Sequence, residues 1–290
     1  MNLKIYIKEI ENLLNKEKII YFKLLQTSFN IVCLKFQLSN KKKYIAKFNI
    51  DREKRFNAIK SEADTLLYLN KKFKFFPKIL IFKNDYLVIE YIENDNHKPK
   101  KTNTDLLKSI IAIHSISNNF YGFKFNTQIG ALEQKNNFED NWANFYSKQR
   151  LNSIFEFANK RENMGNSINE KINYILKNIK NLIPNNPPPL LLHGDLWEGN
   201  ILFKKNKFVG FIDPGSFYGH NEMEIAYLRW FNPSFIDSSF LAKYNEYIKL
   251  DKNYLEYEPI YQLYYCLCNV ALWDRSYIKE TKKILKLLKL

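Results

Sequence analysis

The chain has 290 residues, 46% hydrophobic and 16% aromatic, enough for one large core or two modest ones and too apolar for a disordered polymer. Its net charge is +15, yet only 6 of its 45 basic residues are arginine and the lysines are spread throughout, which is composition rather than a clustered nucleic-acid footprint. No apolar run is long enough to span a bilayer, and the charged start lacks the apolar block of a secretory leader. A cytoplasmic protein without membrane or specific nucleic-acid partners is expected.

Residues 4–18 carry Leu and Ile at helical spacing. From Ile19 the pattern changes, and YFKLLQ, NIVCLKFQL and KKKYIAKFNI predict three strands, with SNKKK turning between the last two. Residues 58–73 predict an amphipathic helix with Ala63, Leu66, Leu67 and Leu69 on its apolar face, ended before Pro77. KILIFKN and DYLVIEYI then form a hairpin that closes a small sheet near Ile92. The polar stretch 93–105, carrying Pro99, predicts a linker.

Beyond the linker the chain is mainly helical: LLKSIIAIHSI, NNFEDNWANFYSKQRLNSIFEFA, SINEKINYILKNIKNLI and, later, EIAYLRWF, SSFLAKYNEYIKL and one long run from Tyr257 to Leu288. Cys266 and Cys268 fall within that last run. With Cys33 they make neither a disulfide framework nor a zinc pattern, so they are expected as small buried side chains. The architecture predicted is α+β and two-lobed. An N-terminal lobe, 1–92, would hold a small antiparallel sheet and one long helix, and a larger helical lobe would follow at 93–290.

Two turns interrupt the helical half. LLLHGDLWEGNIL sets Asp195 and Asn200 five residues apart between apolar runs, and KFVGFIDPGSFYGH delivers Asp213 to a second turn. Either turn alone is explained by the preference of Asp, Asn and Gly for such positions. Both together, in this order, point to phosphoryl transfer, which needs an oriented acceptor hydroxyl, metal on the phosphates and shielding cations. Asp195 is then the base that orients the acceptor, while Asn200 and Asp213 supply hard oxygen ligands for Mg²⁺. His193 would brace the loop by hydrogen bonding.

The first lobe is expected to hold the nucleotide, ATP. Lys47 ends the third strand within apolar neighbours and could reach the phosphates, with Glu62 of the next helix holding it extended. Glu90, Tyr91 and Ile92 end the last strand, where backbone groups can grip an adenine edge. Residues 1–121 contain no glycine, so a glycine-rich phosphate loop is missing. The turn between the first two strands reads QTSFN, and Ser28 with nearby amides is its candidate phosphate contact.

HGDLWEGN followed by FIDPGSFYGHNEMEIA resembles the fructosamine kinase (ketosamine 3-kinase) family, within the aminoglycoside phosphotransferase-like branch of the protein-kinase-like fold. FNAIKSEADTLLYL, AIHSISNNFYGF, IGALEQKNN and NWANFYSKQRL agree, so the likeness runs from about residue 20 to 235. It implies the same roles for Lys47, Glu62, the 90–92 hinge, Asp195, Asn200 and Asp213. It also implies that Trp197 lines the substrate pocket, with His220 and Glu222 supporting the Asp213 turn or lining that pocket. Departures from the family pattern are the absent glycines, Gly215 where Ala is usual, and WFNPSF where Gly-Gly-Phe is usual. The activity implied is ATP-dependent phosphorylation of a sugar hydroxyl on a free or protein-bound ketosamine. Rival expectations are a kinase of this fold acting on an aminoglycoside, choline or sugar, and a non-catalytic nucleotide-binding module.

Overall fold

The computed structural model describes residues 3–14, 17–28, 30–49, 56–84 and 86–288. Helix α1 (Leu3–Leu13) precedes strands β1 (Ile19–Ser28), β2 (Ile31–Leu38) and β3 (Lys43–Asn49), and α2 (Ala58–Leu69) separates these from β4 (Ile79–Lys83) and β5 (Tyr86–Glu90). The strands form one antiparallel sheet in the order β1-β2-β3-β5-β4. Strand β2 alternates strictly: Val32, Leu34, Phe36 and Leu38 pack with Ile10 of α1, which leaves Cys33 and Lys35 on the opposite face. Leu87 and Ile89 of β5 join α2 in a core that continues into the second half of the chain. The sheet therefore serves two cores, one per face.

Residues 91–103 have no regular structure. The stretch is pinned rather than loose: Asp95 N–H donates to Phe203 at 3.1 Å, Asn206 N–H donates to the His97 carbonyl at 3.0 Å, and Thr102 binds Asp237 through backbone and hydroxyl.

The second half begins with α3 (Thr104–His114) and a short hairpin, β6 (Thr127–Ile129) with β7 (Leu132–Gln134). Helices α4 (Trp142–Tyr146), α5 (Asn152–Arg161) and α6 (Asn166–Leu182) follow, α4 and α5 being joined by a π-helical turn at Ser147–Leu151. Strand β8 (Leu190–Leu192) leads to the first polar turn, which returns as β9 (Ile201–Lys204) and pairs with β10 (Lys207–Phe211). The second polar turn leads to β11 (Phe217–Gly219), paired back onto β8. Helices α7 (Asn221–Trp230), α8 (Phe240–Asn245), α9 (Tyr254–Leu272) and α10 (Tyr277–Leu287) complete the chain. Cys266 and Cys268 are buried on α9, as their setting predicts. No described helix is long and apolar enough to cross a membrane.

Two predicted helices are cut. The one expected from Asn136 starts only at Trp142, because Asn136 is committed to the β6–β7 hairpin (its amide donates to Phe125 O at 3.1 Å and Thr127 Oγ1 at 2.9 Å) and Asn141 caps α4 instead. The long terminal run breaks after α9, where the Asp274 carboxylate accepts from Ser276 N–H at 2.6 Å and starts α10 afresh.

Candidate active site

The first polar turn is fixed from below by one carboxylate. Glu224, on α7 and fully buried, accepts from the backbone N–H groups of His193 at 3.0 Å and Gly194 at 2.7 Å, and meets His114 Nε2 at 2.9 Å. Burial opposes its charge, but His114 and these amides hold it below the ordinary carboxylate range. Gly194 lies at φ +89°, and a Cβ there would stand 2.1 Å from the Gly215 carbonyl oxygen, so only glycine fits. His193 Nδ1 accepts from Asp195 N–H at 3.3 Å, which sets the tautomer and lets Nε2–H donate to Ile212 O at 3.0 Å. Burial lowers the His193 pKa, so this brace between the two turns is neutral.

Asp195 faces the cleft on this scaffold. Asn200, buried on a 3₁₀ turn, donates Nδ2–H to the Asp195 carbonyl at 2.8 Å. Burial, and then the charge of Asp213, push the Asp195 carboxyl up to about 7, with Asn200 and Tyr227 acting in the opposite direction. Asp213 itself sits at φ +56°, which carries its side chain off β10 toward the sheet lobe.

Lys47 receives it. The buried Lys47 ammonium lies 2.7 and 2.8 Å from the two Glu62 oxygens and 2.5 Å from Asp213 Oδ1. Burial works against the ammonium, but Asp213 and Glu62 outweigh it and hold its pKa above the ordinary lysine value. Cys33, cross-strand from Lys47, stays a thiol because burial raises it to about 11.

Two cavities meet at this lysine. The larger, about 530 Å³, lies between the sheet and Leu202 and Ile212, with Ile45, Glu90, Tyr91 and Ile92 in its lining. The smaller, about 190 Å³, is lined by Glu62, Gln128, Asp195, Trp197, Asn200 and Trp273. Gln26, Cys33, Lys47 and Asp213 border both. Among the described residues no cluster of three His, Cys, Asp or Glu is placed to hold a metal. Asn200 and Asp213 both line the smaller cavity, and their side-chain oxygens are hard donors of the kind that suits Mg²⁺.

Lys47, Glu62, Asp195, Trp197, Asn200 and Asp213 are thus brought together, and Glu90, Tyr91 and Ile92 line the adjoining cavity. Ser28 ends β1, but its side chain lies outside the described residues, as does Phe29. Asn30 takes the left-handed conformation of that turn, φ +64°, where glycine is more usual. Trp197 packs its indole over Gly199 and against Phe231, 5.7 Å between ring centroids, so the WFNPSF segment backs the pocket.

Of the two places expected for His220 and Glu222, supporting the Asp213 turn or lining the pocket, the second is not found: neither lines either cavity. Both are buried behind the cleft, where His220 Nδ1 meets Tyr261 Oη at 2.8 Å and Glu222 accepts from Asp251 N–H at 2.6 Å and from the Tyr257 hydroxyl. Burial lowers the His220 pKa to about 3, which leaves it an uncharged packing element beside Trp142. Sequence reasoning missed Glu224, Tyr227, Gln128 and Trp273. Glu224 was within reach of inference as an acid on an apolar helix, but nothing local marks the other three.

A sequence profile of the fructosamine kinase family matches residues 25–290. An Enterococcus faecium protein, described as a probable ketoamine kinase, is 32% identical over 205 residues, covering 69% of this chain and 71% of its own. The chloroplastic protein-ribulosamine 3-kinase of Arabidopsis thaliana is 30% identical over 210 residues, covering 69% of this chain and 60% of its own. The crystal structure of a provisionally assigned fructosamine-3-kinase from Thermobifida fusca superposes with a TM-score of 0.84 over 97% of both chains at 21% identity, which establishes the two-lobed kinase-like fold.

Proposed function

Because the chain belongs to the fructosamine kinase family, we propose that it transfers the γ-phosphoryl group of ATP to a sugar hydroxyl of a ketosamine. The observation that carries this reading is the junction at Lys47: one buried ammonium bridges Glu62 and Asp213 where a nucleotide-sized cavity opens onto the smaller pocket holding Asp195. Relatives named as ketoamine and ribulosamine kinases support the acceptor class.

The adenine would enter against Ile45 and Ile212, with the 90–92 backbone along its edge, and the phosphates would reach Lys47. Asn200 and Asp213 would hold a Mg²⁺ ion, which would supply positive charge against that of the phosphates. Asp195 accepts the acceptor hydroxyl's hydrogen bond and holds its oxygen in line with the γ-phosphorus. As the new P–O bond forms, the bond to the ADP oxygen breaks, and the hydroxyl proton passes to Asp195 and then to solvent. Trp197 offers an indole face beside Asp195, suited to the C–H surface of a neutral polyol chain.

The test is ADP release with ribulosamine and fructosamine adducts, compared with choline and kanamycin. The reading requires the ketosamines to have the highest kcat/KM. Preference for kanamycin or choline by tenfold or more would overturn the acceptor assignment and leave phosphotransfer standing. No nucleotide binding at millimolar concentration would overturn both.

A further inference from the structure

The smaller cavity contains a polar group that the mechanism does not use. Gln128, on β6, lines that cavity beside Asp195 and Trp197, and it is only 7% exposed. Its Oε1 is buried and has no hydrogen-bond partner among the described residues. A buried acceptor without a partner destabilises the empty fold, so such an atom is a site for a donor brought by something else.

Its position is fixed by a chain of buried hydrogen bonds that ends at the metal-side turn. Gln134 Nε2 donates to the Gln128 carbonyl at 2.7 Å and lies 3.3 Å from the Gly215 carbonyl, which also accepts from Thr127 Oγ1 at 3.1 Å. Asn136 Nδ2 donates to Thr127 Oγ1 at 2.9 Å, and the Asn136 Oδ1 accepts from the fully buried Arg150 at 2.6 Å. Arg150 thus works on backbone and amide oxygens, stacked 4.0 Å from the Phe217 ring centroid. This network clamps the β6–β7 hairpin against the turn after Asp213, so Gln128 is held in register with the reacting groups.

We propose that Gln128 is an acceptor-site specificity residue, its Oε1 receiving a hydrogen bond from a hydroxyl of the polyol chain whose neighbouring hydroxyl Asp195 orients. This rests on the assignment of the smaller cavity to the phosphoryl acceptor. A site that hydrogen-bonds a substrate hydroxyl rejects the analogue lacking it, because the polar group is then left unpaired.

The experiment compares wild type with Gln128→Leu, which keeps volume and removes the acceptor, and with Gln128→Glu, which keeps an oxygen acceptor. Thermal unfolding first confirms that each is folded; since Oε1 is unpartnered, Gln128→Leu is expected to melt no lower than wild type. Each protein is then assayed with a ketosamine and with its mono-deoxy analogues. The expected result is a fall of roughly ten- to hundred-fold in kcat/KM for the ketosamine in Gln128→Leu. KM for ATP should be unchanged, and Gln128→Glu should retain a larger share of activity. One deoxy analogue should be poor for wild type, yet no worse than its parent for Gln128→Leu. Kinetics of Gln128→Leu within twofold of wild type, or an equal loss against every deoxy analogue, would overturn the proposal. If wild type turns over choline or kanamycin instead of ketosamines, the functional reading fails separately. The same pair of proteins is then compared on the preferred alcohol, where a loss confined to acceptor kcat/KM upholds Gln128 and no loss overturns it.

Discussion

Asp195 carries the sharpest consequence of single-residue environment. Its carboxyl is pushed to about 7 by burial and by Asp213, against about 3.9 in a free chain. A base must be ionised to orient a hydroxyl, so kcat/KM for the acceptor should fall about tenfold per pH unit below pH 7. Asp195→Asn should lower turnover by several orders of magnitude while keeping the fold, since the amide preserves shape. The stability sign follows from linkage: a carboxyl whose folded pKa is raised contributes fully below about 4, and that contribution is lost as pH rises through about 7. Asp195→Asn removes the penalty above that value, so its melting temperature should gain on wild type more at pH 8 than at pH 5. Melting curves at both pH values check this, and an equal difference would show that the carboxyl is not raised in the folded protein. That Asp195 and Asn200 share a polar turn was readable from their spacing, and they line one cavity. The pKa of Asp195 was not, because the burial comes from distant packing and Tyr227 lies on α7, thirty-two positions along the chain.

At the scale of elements, the two polar turns depend on what they lean against. Glu224 accepts from three donors, two of them backbone N–H groups of the first polar turn. Gln at that position would present an N–H toward at least one donor. Glu224→Gln should therefore cost about 1–3 kcal/mol, seen as a lower melting temperature, with kcat reduced because Asp195 is no longer held. Gly215 poses the complementary constraint. A Cβ there would lie 1.8 Å from the Gln128 carbonyl oxygen, so Gly215→Ala, although it restores the residue usual in the family resemblance, should push the β6–β7 hairpin away. The expected outcome is a lower melting temperature and a raised acceptor KM, with ATP KM little changed. Here legibility in the sequence is uneven. Strand β2 carries a long alternating pattern, Val32 to Leu38, and was readable to within a few residues. The hairpin β6–β7 and the pair β8–β11 have three residues per strand, too few for any periodicity, and the hairpin is tied by the buried side chains of Asn136 and Gln134. His220 and Glu222 follow the second polar turn, but the start of α7 points them back toward Tyr261 and Tyr257 of α9, which no local pattern reveals.

For the whole molecule the open question is what the charge of +15 does. The lysines are distributed, so a general attraction for polyanions is expected to be weak and easily screened. Lys23, Lys35 and Lys47 nevertheless line the larger cavity, where Glu90 and Asp213 are the facing acids. Lys47 is already neutralised by two carboxylates, and Lys35 rests 3.5 Å from the Tyr91 ring centroid. Nucleotide polyphosphate would therefore meet a partly exposed cationic rim around an internal, compensated site. Screening acts on the rim and hardly on the interior, since the Debye length falls to about 6 Å near 0.3 M salt. A neutral sugar chain feels neither. Raising salt from about 0.05 to 0.3 M should thus increase KM for ATP by several-fold, mainly through slower association, while leaving kcat and the ketosamine KM within about twofold. Initial rates with each substrate varied in turn, at fixed free Mg²⁺, measure this directly. An equal rise in both KM values would mean that salt does not act through the cavity rim, and a flat ATP KM would mean that the rim lysines take no part in capturing the nucleotide.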